Sequence, residues 1–267
     1  MKAPVISLLT DFGVRDHYVA AMKGVMLGIC PEARLIDVTH ETGAYEITEA
    51  TYTLSQVSPC FPAGTVNLVV VDPGVGSSRR PLLAQAFGQF FIAPDNGVLT
   101  MILGADPKHR VRAITADAYF RKPVSRTFHG RDIFAPVAAH VAAGAPVSKF
   151  GKTIDDYLML GLGKPARTAR RGWTGLILKI DRFGNIITNF DWQTFGRMLE
   201  QPFEIYIGLR TVTRVAENYA SMDIGEICAI EGSSGYIEIS AREASAAALL
   251  GVSAGAPVEV RASTSHL

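Results

Sequence analysis

The sequence predicts a layered α/β domain in its first half and a smaller all-β domain, a small barrel or sandwich, in its second. Three observations lead there. Apolar β-type runs alternate with helical patterns as far as about residue 155; the pattern lapses into Gly, Pro, Lys and Arg up to Arg171; only short β-type runs, several separated by Gly and Asn turns, follow. Of 267 residues, 48% are hydrophobic and 19% charged, so the chain can bury large cores and lacks a disordered composition.

In order, Val5–Leu9 reads as a strand, Thr10–Asp16 as a loop, and Tyr18–Ile29 as a helix that stops at Cys30-Pro31, where proline cannot continue it. Leu35–Val38 is a second strand and Ile47–Gln56 a second helix. Val66–Val71 is almost continuously apolar, as a central strand buried on both faces should be. Phe90–Ala93 is a strand, Leu99–Leu103 a short helix, and Ile133–Ala143 a helix ended by Gly144. Domains are therefore expected over 1–155 and 171–267, joined by a linker over 156–170. The second domain offers strands at Gly175–Ile180, Asn185–Thr188, Phe203–Ile207, Thr211–Val215, Glu226–Ile230, Tyr236–Ile239 and Pro257–Val260.

Lys and Arg total 26 against 25 for Asp and Glu, a formal charge of +1. This balance argues against a nucleic-acid partner, which needs a basic face. The one basic cluster, Arg167, Arg170 and Arg171, is short and falls where the linker meets the second domain. Cys30, Cys60 and Cys228 are odd in number, widely spaced and without CxxC, which suits reduced thiols in the cytoplasm. The opening MKAPVISLLTDFG is too brief an apolar run for a signal peptide. No stretch reaches the roughly 20 apolar residues of a membrane helix.

Four segments are dense in polar groups beside strand ends. In Thr10-Asp11-Phe12-Gly13, with Asp16 beyond, the carboxylates lie where open α/β sheets bind ligands, or cap the next helix. In VVVDPGVGSSRRP, a buried strand ends at Asp72 and a Pro/Gly turn brings Arg79 near, which makes either a pocket with opposed charges or a structural salt bridge. It is neither a Walker loop nor a dinucleotide fingerprint. In Thr127–Asp132, His129 beside Gly130 is a candidate base, water ligand or cap-region side chain, and Asp132 a cap or structural residue. The fourth, Asp181-Arg182-Phe183-Gly184-Asn185 with Thr188-Asn189, is echoed by Gly232-Ser233-Ser234-Gly235-Tyr236, and both also read as hairpin turns.

Five motifs in order, TDFG (10–13), DPGVG (72–76), PDNG (94–97), FHGRD (128–132) and DRFGNIITN (181–189), with GSSGY at 232–236, resemble the S-adenosylmethionine hydrolases (adenosine-forming), the hydroxide adenosyltransferases related to fluorinase and chlorinase. The likeness spans nearly the whole chain. It implies an α/β N-terminal domain, a barrel-like all-β C-terminal domain, and a homotrimer whose sites lie between one chain's N-terminal domain and its neighbour's C-terminal domain. It implies a catalytic trio of Asp72, Arg79 and His129, with no cofactor, since S-adenosylmethionine is the substrate. Asp11 would hold the ribose hydroxyls, Asp16 and Asp181 with Ser233 the methionine moiety, Asn185 the adenine, and Tyr45 would stack on the ligand. The stretch Ser240–Glu243 is less typical of the family. Hydroxyl residues that line the halide pocket of the halogenases correspond to Val75 and Gly130 here, which favours hydroxide as nucleophile.

The expected reaction is SN2 attack of water or hydroxide on C5′, releasing adenosine and L-methionine. Three alternatives are set against it: a halogenase, a non-catalytic nucleoside or S-adenosylmethionine binder, and a metal-dependent hydrolase using Asp11, Asp16, His17, Asp72 and His129. The last lacks any HExxH spacing.

Overall fold

The computed structural model describes residues 3–162, 164–169 and 172–262; Arg170 and Arg171 of the basic cluster, and the first two residues, lie outside them. It divides into two compact units, Met1–Leu160 and Gly161–Leu267.

The first unit runs β1 (Val5–Thr10), α1 (Tyr18–Ile29), β2 (Arg34–Thr39), α2 (Ile47–Val57), β3 (Val66–Val70), β4 (Pro81–Ala86), β5 (Gln89–Pro94), α3 (Thr100–Ala105), β6 (Arg110–Ala113), α4 (Ala135–Ala142) and β7 (Thr153–Ile154). The sheet order is β2-β1-β3-β5-β4-β6-β7, parallel from β2 to β5 and antiparallel beyond. Side chains of β3 alternate between two cores. Val66, Leu68 and Val70 pack with Met22 and Met26 of α1 and Val137 of α4, whereas Val69 joins Leu54 of α2 and Ile102 of α3 on the other face. Burial on both faces explains why that strand is apolar at every position but Asn67. Strands β4, β6 and β7 escape the sequence reading because they are short or open on proline.

The chain leaves β1 toward β2 on one side and returns to β3 on the other. The order therefore reverses at β1/β3, and the crevice at their C-terminal ends is where such sheets bind ligands. Asp11 follows β1 and Asp72 follows β3.

The predicted helix 133–143 begins instead as a wide turn over Gly130–Phe134, with Ala135 N–H bonded to the Gly130 carbonyl. Pro136 has no N–H to give to the Asp132 carbonyl, which accepts from Arg121 N–H at 2.9 Å.

The second unit comprises β8 (Ala166–Ala169), β9 (Gly172–Ile180), β10 (Ile186–Asp191), α5 (Trp192–Phe195), β11 (Phe203–Ile207), β12 (Arg210–Val212), β13 (Ile227–Glu231), β14 (Tyr236–Ala241), α6 (Ala246–Leu250) and β15 (Pro257–Ala262). All pairings between these strands are antiparallel, in the order β12-β11-β15-β9-β10-β14-β13 with β8 on β9. The edges meet through Val215 and Ala229, so the sheet is barrel-like around a core that includes Phe190, Ile205, Ile237 and Val260. Strand β8 lies in the stretch read as linker. Among the described residues no helix is long and apolar enough to cross a membrane.

Candidate active site

The turn after β3 carries the first part of the site. Gly76 has φ +79, and a Cβ there would sit 2.4 Å from the Arg126 carbonyl oxygen, so only glycine lets this turn lie against the 121–132 loop. Ser77 Oγ donates to the Gly74 carbonyl and accepts from Arg79 N–H, which turns the Arg79 side chain back toward Asp72. Asn96 of PDNG donates to the Val71 carbonyl at 2.8 Å, fixing the backbone just before Asp72.

Arg79 Nε lies 2.9 Å from both oxygens of Asp72, and its Nη2 also donates to Asp72 Oδ2. The side chains of Arg79 and Asp72 are only 9% and 4% exposed. The same Nη2 lies 2.9 Å from Nδ1 of His129, fifty residues along the chain. Guanidinium nitrogens only donate, so Nδ1 is the acceptor and the ring proton resides on Nε2. Burial and the Arg79 charge depress the His129 pKa, against the opposing pull of Asp72 and Asp132, and the neutral ring is favoured. The guanidinium also lies over the buried Phe134 ring, 5.0 Å from its centroid. The trio read from sequence thus converges in space.

His129 is held by the loop that Asp132 anchors. The fully buried Asp132 carboxylate accepts from Arg131 at 2.7 and 2.9 Å, from Ser125 N–H at 2.9 Å and from Arg121 at 3.2 Å. Burial pushes its pKa up, but these donors, Arg131 foremost, outweigh it and hold the group down to about 2. Asp132 is thus structural, one of the two readings the sequence allowed. Gly130 is buried; a Cβ there would lie 3.1 Å from Met22 Sδ and 3.3 Å from Phe128. Phe12 of TDFG packs edge-on to Phe128 at 6.0 Å, so TDFG and FHGRD adjoin.

Asp11 Oδ2 accepts from the Tyr45 N–H at 3.0 Å, which brings these two predicted residues together. Tyr45 is 71% exposed and has φ +69, unusual for a non-glycine residue. Asp16 is exposed and does not cap α1, whose N-cap is His17 without a side-chain cap bond. Of the residues named for the metal-dependent alternative, Asp72 and His129 meet only through Arg79, and among the described residues no three His, Cys, Asp or Glu side chains form a metal-binding group.

In the second unit, Asp181 Oδ1 accepts from the N–H groups of Phe183 and Asn185, and Oδ2 from Asn185 Nδ2, all at 2.9 Å. Asp181 therefore shapes the turn that presents the buried Asn185. Gly184, at φ +86, admits Ser245, the N-cap of α6, against the turn. A cavity of about 600 Å³ opens here, walled by Asp181, Asn185, Phe183, Tyr219, Arg242 and Glu243. Ser233 is exposed in its own turn and is not part of that wall.

Sequence reasoning missed two aromatic side chains of this cavity, Phe183 and Tyr219. Phe183 stood in a quoted motif, and its 76% exposure distinguishes it from a core aromatic; Tyr219, in a polar loop, gave no signal. Burial, together with a 2.7 Å bond to the buried Glu238, pushes the Tyr219 hydroxyl up to about 12. The atypical stretch 240–243 also contributes, through Ala241, Arg242 and Glu243, the last at φ +55.

Residues 6–151 match the family model for the SAM hydroxide adenosyltransferase N-terminal domain, and residues 175–259 that for the C-terminal domain. A protein of Salinispora tropica named (R)-S-adenosyl-L-methionine hydrolase is 36% identical over 262 residues, covering 97% of this chain and 98% of that one. A fluorinase of Nocardia brasiliensis is 26% identical over 292 residues, covering 97% of each. The solved structure of a conserved protein from Thermotoga maritima superposes with a TM-score of 0.89 at 36% identity, covering 96% of this chain and 99% of that one.

Proposed function

This chain belongs to the SAM hydroxide adenosyltransferase family, and from that premise we propose that it hydrolyses S-adenosyl-L-methionine to adenosine and L-methionine by attack of water or hydroxide at C5′. The observation that carries the reading is the buried guanidinium of Arg79 shared between Asp72 and His129. The sulfonium substrate leaves as a neutral thioether, so departure needs no general acid. The demand falls on the nucleophile, and a fixed positive charge in a water-poor site favours hydroxide character. Neutral His129, with Nδ1 occupied, offers only its Nε2–H and serves to orient the attacking oxygen. The Asp72 carboxylate is then the base that receives the proton. Holding oxygen and C5′ in line makes the step near-unimolecular. No cofactor is required by this scheme.

Asp11 is assigned to the ribose hydroxyls, Tyr45 to stacking on the ligand, and Asp16, Asp181 and Ser233 to the methionine moiety. Asn185 is assigned to adenine, in the cavity where Phe183 and Tyr219 offer ring faces. Halide is disfavoured because positions 75 and 130 are Val and Gly, which bring no side-chain hydroxyl to the pocket. The relatives' names specify the R epimer at sulfur, and that preference is extended to this chain. The working form is a homotrimer in which one chain's first unit is completed by a neighbour's second unit, in the cytoplasm, where the three unpaired cysteines stay reduced. No nucleic acid or membrane takes part. Incubation with each sulfonium epimer and chromatographic identification of the products tests the assignment: adenosine and methionine are expected, and intact substrate with both epimers would contradict it.

A further inference from the structure

Behind Asp11 runs a polar chain, buried at Thr10 and His40 and reaching the surface at Asp37 and Lys23, that no step of the proposed reaction uses. Thr10, wholly buried, places Oγ1 2.9 Å from Nδ1 of His40, itself buried. Nε2 of that ring lies 2.9 Å from Asp37 Oδ1, off hydrogen-bonding alignment, and Asp37 Oδ2 accepts from Lys23 Nζ at 2.6 Å. The Thr10 oxygen also accepts the Phe12 N–H at 3.3 Å, and the His40 carbonyl accepts the Gly13 N–H at 2.7 Å. Both neighbours of Asp11, and the glycine beyond, are thus tied to Thr10 or to His40.

The proton inventory gives the chain a direction. With Nε2 facing a carboxylate, that nitrogen carries the ring proton, and Nδ1 is the acceptor. The Thr10 hydroxyl then donates to Nδ1 and keeps its lone pairs for the Phe12 N–H. Removing either partner leaves a buried polar atom unmatched next to Asp11.

We infer that Thr10 and His40 are a positioning pair that sets the aim of Asp11 on the ribose 2′ and 3′ hydroxyls; this rests on the assignment of Asp11 proposed above. The test compares dissociation constants for adenosine and 2′-deoxyadenosine by calorimetry. Wild type is expected to prefer adenosine. Thr10→Val, nearly isosteric, and His40→Gln, which withdraws the acceptor from the Nδ1 position, are expected to bind adenosine roughly tenfold more weakly with 2′-deoxyadenosine little changed. Thr10→Ser keeps the hydroxyl, and His40→Asn keeps an acceptor near Nδ1, so both are expected to retain the preference.

A structural role alone would lower the melting temperature of all four variants and leave the preference intact. A wild-type preference in folded Thr10→Val and His40→Gln overturns the inference, as does its loss in His40→Asn. If Thr10→Val does not fold, His40→Gln decides. Should wild type hydrolyse S-adenosylmethionine yet show no preference for adenosine, the ribose assignment of Asp11 falls, and this inference with it. Absence of hydrolysis with a retained preference would count against the reaction only.

Discussion

Arg79 is the residue on which the chemistry turns, because one guanidinium serves the carboxylate, the imidazole and the π face of Phe134 at once. Lysine could not reproduce that fork. Arg79→Ala is expected to lower kcat by roughly 10² or more with little change in substrate affinity, the scale of removing one preorganised charge from a transition state. His129→Gln, which retains a donor near the Nε2 position, is expected to keep more activity than His129→Ala; steady-state kinetics on the pair checks the orienting role. Because the folded state disfavours the charged ring, neutral His129 persists below its ordinary value of 6.5, and the acid limb of kcat/KM is expected to lie below that pH. A limb above it would contradict the Nδ1-acceptor arrangement.

At the level of elements, the 121–132 loop depends on Asp132, whose depressed pKa gives a signed expectation. Its contribution is complete above the ordinary carboxylate value of 3.8 and is lost as pH falls toward about 2. Above that range the pairing is expected to contribute on the order of 2 kcal/mol. Urea midpoints of wild type and Asp132→Asn should therefore converge on acidification through this interval; a constant gap would show that the anchor is not electrostatic. Sequence made some of this visible and hid the rest for physical reasons. The DPGVG turn declares itself because Pro and Gly are demanded by backbone geometry. The pairing of Arg79 with His129 does not, since the residues are fifty positions apart and only the sheet brings them together. The wide turn at 130–134 is implicit in Pro136, but it also needs the Arg121 N–H to take the orphaned carbonyl. Strand β6, only four residues long, is too short to stand out in the sequence and is defined by its pairing with β4 and β7.

Across the whole molecule, the alternation of β-type and helical runs was enough to read the two fold classes, and the strand order adds the switch point that gathers Asp11 and Asp72. The second unit's cavity was legible only in part. Asn185 stood in a motif, but Tyr219 comes from a distant loop and Glu243 from a stretch that departs from the family pattern. The proposed trimer makes a sharp prediction. Arg79→Ala and Asn185→Ala chains, each nearly inactive alone, should regain activity when co-assembled, roughly a quarter of wild type for random mixing. Activity no greater than the sum of the separate variants would place each site within a single chain.

The proposed reaction turns on attack of solvent oxygen at C5′. Turnover of S-adenosylmethionine in H₂¹⁸O, followed by mass spectrometry of the products, tests it most directly. One ¹⁸O is expected in the 5′-hydroxyl of adenosine and none in methionine; adenosine formed without the label would rule out attack by solvent.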